Sequence, residues 1–193
     1  DSQIPAFERT SGMLFGAVVV DDVPHTENIV GCPQIDSAGS FELDVGTTDD
    51  GAPLGAVDFH QIGAGYGGHF WYGHTVNPER EANTVTGTWD PPASVNGWTR
   101  IMVHVPDVGA DTYQADYKIW RYTDDGPEHE HRVVNQRWNA NTWVDLGVFY
   151  LGPGARVELS NATRNDYGRD FAIDIAWDAM AFVPSAKPRV AMV

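Results

Sequence analysis

Along the second half of the chain, apolar residues recur at every second position, the period of a half-buried strand. Ile101, Val103 and Val105 follow it, as do Val157 and Leu159. The pattern predicts strands over 98–106, 113–122, 132–137, 143–150, 155–160 and 173–182, with Gly, Pro, Asn and Asp between them. Further strands are predicted at 41–45, 57–60 and 84–89, and a buried one at 13–20. No helical period appears. Short strands at near-regular spacing predict an all-β fold, an antiparallel sandwich or barrel rather than a parallel α/β sheet.

Punctuation divides the chain. Pro5, Pro24 and Pro33 break residues 1–37 into an expected N-terminal arm or linker strand. Residues 38–184 form the expected β-sandwich module, and 185–193 a C-terminal linker. Within the module, the tract Gly63–Gly73 sets repeated Gly beside Tyr66, Phe70, Trp71 and Tyr72, which suits an irregular loop or a bulged strand.

The chain has 193 residues, 20 of them Gly and 12 Pro, enough for one domain with a sizeable core and many turns. Lys and Arg number 12 against 27 Asp and Glu, a net charge of −15, which argues against nucleic acid or an anionic membrane surface as partner. Cys32 is the single cysteine, so no disulfide within the chain is expected. No apolar run reaches the length that spans a bilayer. No basic n-region opens the chain, so any signal peptide is expected upstream or already removed.

A series of short motifs then recurs in order: Thr86-Gly-Thr-Trp-Asp-Pro91, Trp98-Thr-Arg-Ile-Met-Val-His-Val105, Tyr117-Lys-Ile119, Val133-Val-Asn-Gln136, Trp143-Val-Asp-Leu-Gly-Val-Phe149, Val157-Glu-Leu-Ser160 and Trp177-Asp-Ala-Met-Ala-Phe182. Over roughly residues 56–184 this series resembles the golvesin C-terminal-like domain, also described as the xanthan-lyase carbohydrate-binding-like domain. The resemblance implies a jelly-roll, galactose-binding-like sandwich in a secreted, multidomain bacterial protein, without chemistry of its own. Two features depart from it: Asp90 before the Pro, and the long charged stretch 123–131.

Sugar recognition stacks C–H faces on Trp or Tyr and rings them with polar groups. Seven Trp are present. The resemblance, which sets Trp89, Trp143 and Trp177 in its strand motifs, implies that they lie in the core, and Trp98 is expected to pack at a strand start. The resemblance implies that Tyr117 and Ile119 are the apolar positions of their strand; alternation then leaves Lys118, Trp120 and Tyr122 on the opposite face, a small aromatic platform if exposed. Trp138 with Asn139 reads as a loop tip. Trp71 is set apart from its neighbours in the Gly tract. For each of these, packing under a loop or against the arm is the competing reading.

Among the acids, Asp21, Asp22, Asp44, Asp49, Asp50 and Asp58 offer hard oxygen ligands, though none follows a calcium-loop motif. The resemblance implies a structural calcium where an early loop meets the last strand, with Asp178, Asp174 and Asp44 as its ligands. The alternative for Asp178 is hydrogen bonding to the backbone of a neighbouring loop. His129 and His131 lie two apart on one predicted strand face and can share a metal, but a firm site needs a third and fourth ligand, and the competing reading is a solvated hairpin flank. No nucleophile elbow or phosphate loop is present. Asn161-Ala-Thr163 matches a glycosylation sequon by composition alone.

Together these readings lead to a noncatalytic carbohydrate-binding module of an extracellular protein, targeting polysaccharide or cell-wall glycan. The alternative is a structural or protein-interaction domain whose arm adds a strand to a neighbour.

Overall fold

The computed structural model describes residues 14–23, 36–46, 50–52, 59–79, 84–123, 125–163 and 173–188. Among them the chain runs through β1 (Val18–Val20), β2 (Ser40–Asp44), β3 (Phe59–Ile62), β4 (His69–His74), β5 (Thr86–Asp90), β6 (Gly97–Val105), β7 (Ala115–Thr123), β8 (Gly126–Val134), β9 (Thr142–Leu151), β10 (Arg156–Ser160), β11 (Asp174–Trp177) and β12 (Met180–Pro184). The described residues also include two single 3-10 turns, Tyr66–Gly68 and Gln136–Trp138.

These strands form a four-stranded sheet, β1-β12-β6-β9, a five-stranded sheet, β2-β5-β10-β7-β8, and a smaller sheet, β11-β4-β3. Every pairing between these named strands is antiparallel. The chain therefore folds as the antiparallel β-sandwich that its alternation predicts. Ile101, Val103 and Val105 from β6, Phe149 and Leu151 from β9, and Phe182 from β12 share one core with Trp89 from β5, Tyr117 and Ile119 from β7, and Val157 and Leu159 from β10. Each such large side chain taken fully out of water stabilises the fold by roughly 1.5–3 kcal/mol.

The other face of the four-stranded sheet is covered too. Leu14, Val19, Tyr66, Met102, Trp143, Ala179, Ala181 and Val183 make a second cluster, so β6 is buried on both sides from Ile101 to Val105. Trp143 is buried as expected, but here rather than between the main sheets. The cause is a bulge: Ile101 pairs with Gly147 while Met102 pairs with Asp145, leaving Leu146 as an extra residue. Trp143 thereby faces the second cluster, while Leu146 and Phe149 face the main core.

The arm expected over residues 1–37 needs amending. Val18–Val20 pairs with Phe182–Met180 of β12, and Val20 is fully buried in the main core. These residues belong to the sandwich. Pro5, Pro24, Pro33, Cys32, Asp49 and Asp58 lie outside the described residues.

Two indoles join the sheets. Trp89 Nε1 donates to Asp178 O at 2.7 Å, and Trp177 Nε1 donates to Leu159 O at 2.8 Å. Gly87 makes the second approach feasible, since a Cβ there would lie 2.3 Å from the Trp177 ring. Asn161 of the apparent sequon is buried; its side chain accepts from Val85 N and donates to His74 O, so it is a structural linker.

Candidate functional site

One rim of the sandwich carries an exposed aromatic cluster built on a buried anchor. The turn after β8 is fixed from below by Gln136, which is buried and bonded to Tyr117 Oη and to the backbone of Ala176. Asn135 caps the turn, its Oδ1 accepting from Trp138 N at 3.1 Å. The Trp138 indole then projects outward at 79% exposure, the most exposed Trp among the described residues. Tyr113 meets it edge-on, with ring centroids 6.4 Å apart and planes at 88°. Arg137 donates to Tyr113 Oη at 2.7 Å and lies over the Tyr113 ring. The result is an aromatic corner with a guanidinium at its edge, suited to an apolar face bordered by hydroxyls. Trp138 was readable from sequence as a loop tip. Tyr113 and Arg137 as its partners were not, because the contact closes across 24 residues.

Asn139 sits beside Trp138, but its amide donates to Asn135 O at 2.8 Å and so braces the turn. Trp71 is half-buried and packs against the main core, the competing reading for that residue.

The platform expected from Lys118, Trp120 and Tyr122 does lie on the outward face of β7, as alternation requires. It is not open. Arg156 and His129 stand directly opposite Trp120 on the two flanking strands. Lys118 Nζ lies 4.1 Å and Arg156 Cζ 4.8 Å from the Trp120 ring centroid, and the His129 ring 4.7 Å away. The Trp120 faces are taken by cation–π and ring contacts within the protein. Tyr122 is 38% exposed and its Oη accepts from Arg156. His129 and His131 stack edge-on at 5.2 Å in the open, with His131 on Asp116.

A second, buried constellation lies where the Gly tract meets the segments after β1 and β11. Gly65, with φ of +79°, brings the chain against Asp178, where a Cβ would fall 2.6 Å from His69 O. The Asp178 carboxylate accepts from Tyr66 N at 3.1 Å and from Ala179 N at 2.8 Å, and its Oδ2 is 2.7 Å from His104 Nδ1. Burial pushes the Asp178 carboxyl up, with the adjacent His104 opposing it. His69 Nδ1 is 2.8 Å from Asp22 Oδ1, and Nε2 is 3.3 Å from Asp21 Oδ2. Burial lowers the His69 pKa, but the hydrogen bond and charge of Asp22, with Asp178, outweigh it and leave a net rise. Burial, then the charges of Asp22 and Asp178, raise Asp21 far above the carboxylate range.

A calcium held by Asp44, Asp174 and Asp178 does not fit this geometry. Asp178 is saturated by backbone donors and His104, Asp174 pairs with His74 Nδ1 at 2.8 Å, and Asp44 on the outer strand β2 accepts from Gly46 N. The alternative role of Asp178, ordering a neighbouring loop through its backbone, is the one the structure displays. Among the described residues, the acids and histidines that converge are Asp21, Asp22 and His69.

The model of the Golvesin C-terminal domain matches residues 60–172, more than half the chain. No curated protein sequence matches. Among solved structures, a Paenibacillus xanthan lyase aligns over 88% of this chain with a TM-score of 0.56 and 16% identity. This chain covers 13% of the length of that structure. At that identity the likeness establishes the shared fold.

Proposed function

The chain belongs to the golvesin C-terminal domain family, and from that premise we propose that it is a noncatalytic glycan-binding module of a secreted bacterial protein. It holds an attached domain near polysaccharide or cell wall and so raises that domain's local concentration. The observation that carries this reading is Trp138, an indole 79% exposed on a turn held rigid by Gln136 and Asn135. A large apolar side chain kept in water by a well-bonded scaffold has no stabilising reason to be there. Tyr113 and Arg137 complete a corner onto which a sugar ring stacks while its hydroxyls reach the guanidinium. A sandwich shared with part of a xanthan lyase supports polysaccharide as the ligand class.

The covered state of Trp120 favours this rim over the β7 face as the binding surface. The expectation of an arm adding a strand to a neighbour loses support for residues 18–20, which pair within their own sandwich. Pull-down on insoluble polysaccharides tests the assignment: the Trp138→Ala variant is retained more weakly than the intact chain. Retention unaffected by that change would refute the site.

A further inference from the structure

The Asp21, Asp22 and His69 cluster serves no part of glycan binding at the rim. It joins the end of β1 to the start of β4, across 47 residues of chain between Asp22 and His69. All three side chains are buried, with His69 and Asp21 at 2% exposure and Asp22 at 3%. One ligand atom from each lies within 4.8 Å of the others. An ion shared at about 2.1 Å from each needs separations of roughly 3.4 Å at tetrahedral angles, so adjustments of roughly an ångström close the set.

The charge balance points the same way. Two adjacent carboxylates and the nearby Asp178 share this interior with two imidazoles, His69 and the His104 that Asp178 holds, so acids outnumber imidazoles. Buried carboxylates without compensation are costly. A separate observation concerns one oxygen: Asp21 Oδ1 is buried and has no hydrogen-bond partner among the described residues. Buried polar atoms are almost always partnered, so an open carboxylate oxygen inside a histidine–aspartate cluster marks a place for a ligand atom. Asp22 Oδ1 stands 2.8 Å from His69 Nδ1 and Asp21 Oδ2 3.3 Å from Nε2, so the imidazole lies between the two carboxylates.

We propose that Asp21, Asp22 and His69 form a buried site for a divalent first-row transition ion of the Zn2+ class, which pins β1 to the sandwich. Imidazole with two carboxylates suits such an ion better than calcium, which takes oxygen ligands only. Asp21 and Asp22 fall outside the stretch matched by the family model, so the site is a property of this chain's N-terminal segment.

Titration of the metal-free chain with Zn2+ alone tests this, in a His129→Ala/His131→Ala background that removes the exposed histidine pair. The expected result is one Zn2+ per chain, a rise in melting temperature reversed by chelator, and a shift of the His69 ring resonances with those of His104 less affected. Asp21→Asn in the same background should abolish stoichiometric uptake. If no ion is taken up, if uptake survives Asp21→Asn in a folded variant, or if the His69 resonances stay in place on binding, the proposal fails. The resonance measurement uses the intact cluster, so it decides the matter even if Asp21→Asn does not fold.

Discussion

Gln136 pairs with the backbone of Ala176 on both sides of its amide: Nε2 donates to Ala176 O at 2.9 Å, and Oε1 accepts from Ala176 N at 3.1 Å. A side chain from the turn after β8 thus substitutes for a strand partner of β11. The same Nε2 also donates to Tyr117 Oη at 3.0 Å, so one residue ties three parts of the sandwich to the rim that carries Trp138.

Gln136→Leu should therefore destabilise the protein by at least about 3 kcal/mol. It strands two backbone groups and a phenol in the interior, and each unsatisfied buried group costs about 1–3 kcal/mol. Urea unfolding measures the loss. Glycan retention should fall in the same variant, because the turn presenting Trp138 loses its anchor.

Trp138→Ala and Trp120→Ala should separate binding from packing. The first is expected to weaken polysaccharide retention roughly tenfold, equivalent to about 1.4 kcal/mol, while changing stability by no more than roughly 0.5 kcal/mol. The second should leave retention nearly intact and lower the melting temperature, since it removes a ring packed between Lys118, Arg156 and His129. The opposite pattern would return the site to the β7 face.

Gly87→Ala should cost about 1–3 kcal/mol, the usual range for overpacking. Its new methyl would collide with the Trp177 indole, which must then give up its bond to Leu159 O. Near-ultraviolet circular dichroism should report the displaced indole, and an unchanged spectrum with unchanged stability would count against the tight contact.

Alkaline pH should weaken the fold through Tyr66. Burial, then the charges of Asp21, Asp178 and Asp36, push its phenol up to about 12. An unfolded phenol ionises at about pH 10, so below that both states keep the proton and the contribution is complete. Above it the unfolded state loses the proton first, and stability declines until the folded phenol ionises at about 12. Thermal melts from pH 9 to 12 should show this fall, and Tyr66→Phe should make it shallower. Equal slopes would contradict the shift.

Alternation made the sandwich readable from sequence alone, because the face on which a strand residue lies depends only on its parity within the strand. With Tyr117 and Ile119 set inward by the family resemblance, parity put Lys118, Trp120 and Tyr122 outward, and the chain behaves so. Parity says nothing about what stands beside an outward residue. Trp120 and Trp138 look equally available in the sequence. One is covered because Arg156 and His129 fall opposite it in the sheet register, the other bare because its turn has no flanking strand. Bulge placement likewise sent Trp143 to the far side of its sheet.

The acidic residues show the same division. Their number and the pair Asp21-Asp22 were visible in the chain, yet His69 gave no sign of meeting them. Asp178 had two readings that only its neighbours could separate. Composition and periodicity are local, and they determined that this protein is an antiparallel sandwich rich in aromatics and acids. Which aromatic meets water and which carboxylates converge depends on contacts between distant segments, and those exist only once the sheets have closed.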